Sequence, residues 1–163
     1  MKHGNRIVEK ILTMDQLSPQ LVRWKLLGKT ISFTNGVFDI IHEGHIKVLT
    51  QAASFADILI VGLNADASVK RLKGKDRPIN NEHSRALVLS ALLVVDAVVL
   101  FEEDTPLNLI KIIKPNVLVK GGDYTQESVV GVGEVLANHG RVEIVPLEKG
   151  FSSTAIIEKL KQL

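Results

Sequence analysis

The chain has 163 residues, no cysteine, a formal net charge of +2 and 45% hydrophobic residues. This length fits one domain with a buried core, and the lack of cysteine excludes disulfides, thiolate metal ligands and cysteine nucleophiles. The small, dispersed positive charge argues against nucleic-acid binding. No apolar run approaches the roughly 20 residues of a membrane span, and no secretory signal pattern is present. We therefore expect a cytoplasmic domain that contacts neither membrane nor nucleic acid.

Short apolar segments alternate with helical patterns along the chain. Residues 1–28 contain a Ser-Pro helix start and an apolar stripe, which predict a helical extension packed on the core. Strands are predicted at 30–36, 57–64, 96–101, 116–122 and 141–147, and helices at 44–55, 81–95, 105–114 and 132–140. Nearly continuous apolar strands are typical of a parallel sheet covered on both faces. The pattern predicts one α/β domain over 1–163, a three-layer α/β/α, doubly wound, Rossmann-like fold with five parallel strands.

The segment FTNGVFDIIHEGH, residues 33–45, lies where the first predicted strand leads into a helix. Ligands of open parallel sheets bind at the carboxyl ends of strands, and a helix start offers free N–H groups to an anion. Gly36 and Gly44 permit close backbone approach. His42 and His45 add two imidazoles on one side of the helix start. This pattern predicts a phosphate site; metal ligation by the pair is less favoured, because no further ligand lies at a typical spacing.

Three further segments are candidates for the same edge of the sheet. The basic segment VKRLKGKDRP, residues 69–78, is either a solvated loop or a phosphate-binding one. The segment KGGDY, residues 120–124, either contacts a nucleotide or sugar or forms a tight turn with a capping aspartate. The hydroxyl residues at 152–154 are predicted to cap the last helix, a position that also suits phosphate binding.

These motifs resemble a known enzyme superfamily. TNGVFDIIHEGHIKVL and GFSSTAII resemble the two signatures of the nucleotidyltransferases with an HxGH motif. LKGKDRPIN, FEEDTP and VLVKGGDY together resemble one branch, the D-glycero-β-D-manno-heptose 1-phosphate adenylyltransferases. The resemblance runs from about residue 29 to residue 162. In many bacteria this unit is fused behind a sugar-kinase domain; no kinase segment occurs here, so the chain resembles the stand-alone form.

The resemblance implies a reaction in which AMP passes from ATP to heptose 1-phosphate, giving ADP-heptose and pyrophosphate for the lipopolysaccharide inner core. The acceptor phosphate is itself the nucleophile, so the protein acts by positioning and charge neutralisation. Mg²⁺ is expected with the phosphates of ATP rather than at a resident metal site. A homodimer is common among relatives and is expected here.

The resemblance also assigns roles to residues of this chain. His42, His45 and Lys73 are expected to be catalytic. The residues expected to bind the nucleotide and its phosphates are Thr34, Asn35, Gly36, Phe38, Gly44, Ser152, Ser153 and Thr154. Those expected to bind the sugar phosphate or to support the site are Asp39, Arg77, Arg85, Lys120, Gly121, Gly122 and Asp123.

Some of these roles have structural alternatives. Asp39 either orients the histidine loop through backbone hydrogen bonds, which we favour, or contacts the sugar phosphate. Arg85 matches a recurrent arginine of the superfamily, but a helix arginine is often only solvated or paired. Lys149 stands near the position where related cytidylyltransferases carry an arginine, which argues against that branch.

Two rival functions remain open. One is transfer of CMP or AMP to another small phosphate such as glycerol 3-phosphate, because all such acceptors share the reacting group. The other is a non-catalytic nucleotide-binding module on the same fold. The heptose branch is preferred because its three intervening segments occur together.

Overall fold

The computed structural model describes residues 5–122, 124–146 and 153–160. Its helices are α1 (Asn5–Val8), α2 (Met14–Leu26), α3 (Glu43–Ser54), α4 (Asp66–Lys73), α5 (Glu82–Ala91), α6 (Leu107–Ile113), α7 (Val132–Ala137) and α8 (Ser153–Leu160), with a 3₁₀ turn at Gln126–Ser128. Its strands are β1 (Ile11–Leu12), β2 (Ile31–Gly36), β3 (Ile58–Asn64), β4 (Ala97–Phe101), β5 (Val117–Gly121) and β6 (Arg141–Val145). None of the helices within these ranges is long and apolar enough to cross a bilayer.

The strands form one parallel sheet in the order β1-β4-β3-β2-β5-β6. The predicted α/β class with a parallel sheet is confirmed, but the predicted count of five strands is wrong. The additional strand, β1, comes from the N-terminal extension and pairs Ile11 with Val98 and Leu12 with Val99. Two residues are too few to show a strand periodicity, so only pairing with β4 defines this strand.

The order of the strands places the start of a binding crevice beside β2. Strand β2 pairs with β3 on one side and with β5 on the other, both in parallel. The chain therefore leaves β2 in one direction and returns later on the opposite side. At such a point the connections diverge, leaving a crevice at the carboxyl ends of the strands.

Two hydrophobic clusters hold the helices against the sheet. Residues that alternate along a strand point to opposite faces. Ile31, Phe33 and Ile60 pack in one cluster with residues of α2 and α6, whereas Leu59 and Val61 pack in the other with residues of α3 and α5. Complete burial of one such aliphatic side chain stabilises the fold by about 1.5–3 kcal/mol. This burial on both faces fixes the ends of the strands from which the site is built.

Candidate active site

A cavity of about 350 Å³ opens at the carboxyl ends of β2 and β5. It is lined by residues from five parts of the chain: the β2–α3 connection, the ends of β3 and α4, the end of β5 and the start of α8. These lining residues are Thr34, Asn35, Gly36, Val37, Phe38, His42, Gly44, His45, Val48, Asn64, Lys73, Lys120, Gly121, Tyr124, Ser153 and Thr154. The structure thus brings the two predicted motif regions, the basic helix end and the KGGDY segment to one place.

The two histidines lie at the start of α3 with their rings stacked. His42 is the N-cap of the helix, and the ring centroids of His42 and His45 are 3.9 Å apart at an interplanar angle of 27°. Neither Nδ1 atom has a hydrogen-bond partner within the described chain. The first backbone N–H groups of a helix also have no partner inside the helix. His42, Gly44 and His45 all line the cavity, so imidazole rings and the helix N-terminus border it together.

Burial keeps both imidazoles neutral near pH 7. It lowers the pKa of His45 from 6.5 to about 4, and the neighbouring charges of His42 and Lys73 act in the same direction, while the Ile40 carbonyl opposes them. Burial also lowers the pKa of His42. A neutral imidazole carries one N–H donor and one acceptor nitrogen. Each ring can donate to an anion without the repulsion that two adjacent imidazolium ions would create.

Phe38 forms the wall of the cavity beside His45. Its backbone has φ of 48°, in the left-handed region that non-glycine residues seldom adopt. Its ring centroid lies 5.1 Å from that of His45, and a Cβ atom added to Gly36 would lie 3.1 Å from Cε2 of the ring. The glycine therefore makes room for the phenyl ring that packs on the histidine.

Two lysines face the cavity from different elements. Lys73 ends α4, and its pKa is lowered first by burial and then by Arg77, with Asp39 acting in the opposite direction. Lys120 lies in β5, where burial lowers its pKa to about 8. Its Nζ donates to Asn35 Oδ1 at 2.6 Å and lies 5.9 Å from the centroid of the Tyr124 ring. No carboxylate occurs among the described lining residues, so both cations are open to an anionic ligand.

The start of α8 closes the cavity beside the histidine loop. The Ser153 hydroxyl donates to the Ile40 carbonyl at 3.2 Å, and Thr154 lines the cavity next to it. This hydrogen bond joins the two signature segments, because Ile40 belongs to the first and Ser153 to the second, 113 residues later. Ser152, Lys149 and Asp123, which were singled out in the sequence, lie outside the described residues.

Four predicted site residues do not line the cavity: Asp39, Arg77, Arg85 and Gly122. The buried Asp39 carboxylate accepts hydrogen bonds from Arg77 Nε at 2.8 Å and from two backbone N–H groups, at Ile79 and Asn80, at 2.9 Å each. Burial opposes ionisation of Asp39, but these donors together hold its pKa below its usual range. The carboxylate is directed at the segment after α4 rather than at the cavity.

Arg85 is likewise directed into the protein. Its side chain has no exposed surface and donates to the Val37 carbonyl and to Asp66 Oδ1, each at 2.6 Å, and to the Asn80 carbonyl at 3.0 Å. Arg85 therefore lies behind Val37, which lines the cavity, and is not itself part of the lining. The predicted contact of Arg85 with substrate gains no support from this geometry.

Sequence reasoning missed several lining residues. Asn64 is the last residue of β3, and Tyr124 directly follows KGGD. The strand order indicates that Asn64 belongs to the site, because β3 lies beside β2 in a parallel sheet and both strands end at the same edge. Tyr124 had a signal in sequence, namely an aromatic residue next to a glycine-rich turn.

Comparison with known proteins agrees with these motifs. The cytidylyltransferase-like family matches residues 33–159, which include both histidines, both lysines and the start of α8. The chain belongs to the cytidylyltransferase-like family. It is therefore a nucleotidyltransferase, as the motif resemblance predicted. The roles of its individual residues remain predictions.

Its relatives include longer proteins named for two activities. The chain is 57% identical to the bifunctional protein HldE of Hyphomonas neptunium over 149 residues, which cover 91% of this chain and 31% of that protein. It is 58% identical to the bifunctional protein HldE of Nitrobacter winogradskyi over 143 residues, which cover 88% and 29% respectively. The chain thus spans about a third of the length of these relatives.

Two solved structures share the fold. The lipopolysaccharide core biosynthesis protein from Thermoplasma volcanium is 31% identical, with a TM-score of 0.61 over 76% of this chain and 100% of that chain. Pantoate-beta-alanine ligase from Francisella tularensis gives a TM-score of 0.62 over 94% of this chain and 78% of that chain, at 16% identity. The latter likeness concerns the fold alone.

Proposed function

We propose that this protein transfers AMP from ATP to D-glycero-β-D-manno-heptose 1-phosphate, releasing pyrophosphate and giving ADP-heptose. The observation that carries the proposal is the grouping of two neutral imidazoles, two lysines and a helix N-terminus around one cavity without a described carboxylate. Such a set suits a ligand with several phosphate charges. The choice of acceptor rests on the similarity to the HldE proteins and to the lipopolysaccharide core biosynthesis protein.

In this reaction an oxygen of the acceptor phosphate forms a bond to the α-phosphorus of ATP. The bond from that phosphorus to the oxygen bridging the β-phosphate breaks, and pyrophosphate leaves with the electron pair. The protein needs no nucleophile of its own, and its contribution is orientation and stabilisation of charge on the phosphoryl oxygens. His42 and His45 donate to the α-phosphoryl group, with the α3 N-terminus behind them.

The lysines lie on opposite sides of β2 in the sheet order, one after β3 and one in β5. An in-line displacement places the attacking and leaving phosphates on opposite sides of the α-phosphorus. Lys73 and Lys120 can therefore neutralise different phosphates of the same reacting pair. A phosphate beside Lys120 would also favour its charged form over the depressed pKa set by burial.

Mg²⁺ would be bound chiefly by the phosphates of ATP and supply charge neutralisation there. The described residues contain no cluster of histidine and carboxylate groups that could hold a metal ion. The lining does contain neutral oxygen donors, at Thr34 and Asn64, which fit a phosphate-bound ion with retained waters. The cytoplasmic location and the homodimer remain predictions.

The nearest alternative is transfer of CMP or AMP to another small phosphate such as glycerol 3-phosphate, which the cytidylyltransferase-like family match also allows. Pyrophosphate release with Mg²⁺ separates the alternatives when ATP and CTP are each crossed with heptose 1-phosphate and glycerol 3-phosphate. Turnover restricted to ATP with heptose 1-phosphate supports the proposal. Turnover only with CTP or only with glycerol 3-phosphate would retain the chemistry and reject this substrate pair.

A matched pair of variants tests the role of the site in that assay. Lys73→Met removes a cation at the cavity and is expected to lower kcat/KM by about 10²–10³. Lys70→Met on the same helix removes an exposed cation that does not line the cavity, so activity should be retained. Equal losses in both variants would mean that general surface charge, rather than this site, supports the reaction.

A further inference from the structure

Among the described residues, Arg85 is the largest fully buried side chain that carries a charge. Its guanidinium donates to the Asn80 carbonyl five residues away, to Asp66 nineteen residues away and to the Val37 carbonyl 48 residues away. A buried cation is strongly unfavourable unless paired and hydrogen-bonded. Asp66 supplies the pairing charge, and its own N–H donates to Glu82 Oε2 at 2.7 Å. These contacts fix Arg85 as a brace between α5 and the β2–α3 connection.

Phe38 follows Val37, the residue whose carbonyl Arg85 contacts. Its φ of 48° is unfavourable for a non-glycine residue. Such a conformation persists only when the surroundings enforce it. Immediately before it, the Val37 carbonyl accepts from Arg85. Immediately after it, the Asp39 carboxylate accepts from the backbone of Ile79 and Asn80. The strained residue is therefore held on both sides by part-buried hydrogen bonds.

The conformation of Phe38 affects the position of the two histidine rings. Because Phe38 adopts it, its ring turns toward the cavity and packs on His45, whose ring in turn stacks on His42. Asp39 and Arg85 do not line the cavity. Their hydrogen bonds connect them to His45 through the backbone of residues 37–39, and the charge of Asp39 also acts on Lys73, which in turn acts on the pKa of His45.

We propose that Arg85 and Asp39 are positioning residues that enforce the Phe38 conformation and thereby hold His45 at the phosphate site. The link to catalysis rests on the proposed function. The positioning of His45 can be tested independently of that function, because it concerns only the environment of the imidazole ring. The charged and polar groups that act on His45 are His42, Lys73 and the Ile40 carbonyl, and Arg85→Lys alters none of them. Asp39→Asn removes a negative charge that acts on Lys73, and because that loss disfavours a protonated imidazole it works against the rise expected below.

The test is an NMR titration of the His45 ring in the folded protein, with its signal assigned from the spectrum of His45→Gln. In the wild-type protein the ring should stay neutral down to about pH 5, because its pKa is about 4. Arg85→Lys keeps a charge beside Asp66, but its donors all lie on one nitrogen and cannot replace the three separate nitrogens of the guanidinium. Asp39→Asn replaces an acceptor with a donor facing backbone N–H groups. In both variants the midpoint should rise by about one pH unit or more toward 6.5, because the ring gains water.

Leu89→Ala is the matched control for lost stability. Leu89 lies on the same helix as Arg85, is fully buried and packs in the same cluster as Phe38, but its apolar side chain makes no hydrogen bond to the backbone of residues 37–39. This variant should leave the His45 midpoint where it is in the wild-type protein. If Arg85→Lys does not fold, Asp39→Asn tests the proposal alone.

Kinetics give a second readout once a transferable substrate is known. Positioning predicts a fall in kcat of about tenfold or more with little change in the KM for nucleotide, because His45 acts in the transition state. Direct contact of Arg85 with substrate would instead raise KM and leave the His45 midpoint unchanged. An unchanged midpoint in both folded variants, or an equal shift in Leu89→Ala, overturns the proposal. Absence of turnover would overturn the proposed function without affecting the titration.

Discussion

Replacement of His45 by glutamine should alter how stability depends on pH. In the folded protein the partly buried His45 ring has a pKa of about 4, against an ordinary value of 6.5. Between these two values the unfolded chain binds a proton that the folded chain does not bind. The contribution of the neutral ring to stability is therefore present above pH 6.5 and is lost as the pH falls toward 4. His45→Gln cannot lose it, because glutamine does not titrate.

The size of the effect follows from the two pKa values. A fall from 6.5 to about 4 corresponds to about 3.4 kcal/mol at about 1.36 kcal/mol for each pKa unit. The ring is only partly buried, so screening by water reduces this to about 2 kcal/mol. The difference in unfolding free energy between wild type and His45→Gln should therefore shift by about 2 kcal/mol between pH 7 and pH 4, to the disadvantage of the wild type.

Urea unfolding at half-unit steps between pH 7 and pH 4 measures this difference. Titrating groups remote from His45 are common to both proteins and cancel in the comparison. His42 stacks on His45 and acts on its pKa, so the measured shift belongs to the coupled histidine pair. His83→Gln is the matched control, because the same substitution is made at an exposed histidine that lies outside the cavity. Parallel curves for wild type and His45→Gln, within about 0.5 kcal/mol, would refute the argument that burial keeps this imidazole neutral.

Changes at three positions away from the cavity test the fold itself. Gly131→Ala should destabilise by about 1–3 kcal/mol in thermal unfolding, because φ is 89° and the new Cβ would lie 2.6 Å from Ile110 Cδ1. Gly133→Ala, inside α7 with open space at the Cβ position, should instead stabilise by about 0.5–1 kcal/mol, and the same sign for both would contradict the reasoning. Asn81→Ala removes the cap that accepts from the Ser84 N–H and should lower the free energy of unfolding by about 1 kcal/mol in urea, whereas Asn81→Asp should retain it.

Much of the fold follows from local patterns in the sequence. Strands β2 to β6 and helices α3, α5, α6 and α7 lie within a few residues of their predicted bounds, because each carries a complete apolar period. The basic segment was predicted as a loop, but its first part belongs to α4, which ends at Lys73. Strand β1 was not predicted, because two residues are too few to show an alternation of apolar and polar side chains, and the strand depends on pairing with β4.

The sequence by itself determined the family and the position of the HxGH motif at the carboxyl end of a strand, because this segment combines glycines, imidazoles and a helix start within a few neighbouring residues. Only the tertiary structure decided what the remaining polar residues contact. Lys120 meets Asn35 across 85 residues of sequence, and Arg85 meets the Val37 carbonyl across 48. The sequence pattern around an arginine in a helix is the same whether its side chain points to a ligand or into the core. The direction is set by the packing of α5 against the sheet, which no local pattern encodes.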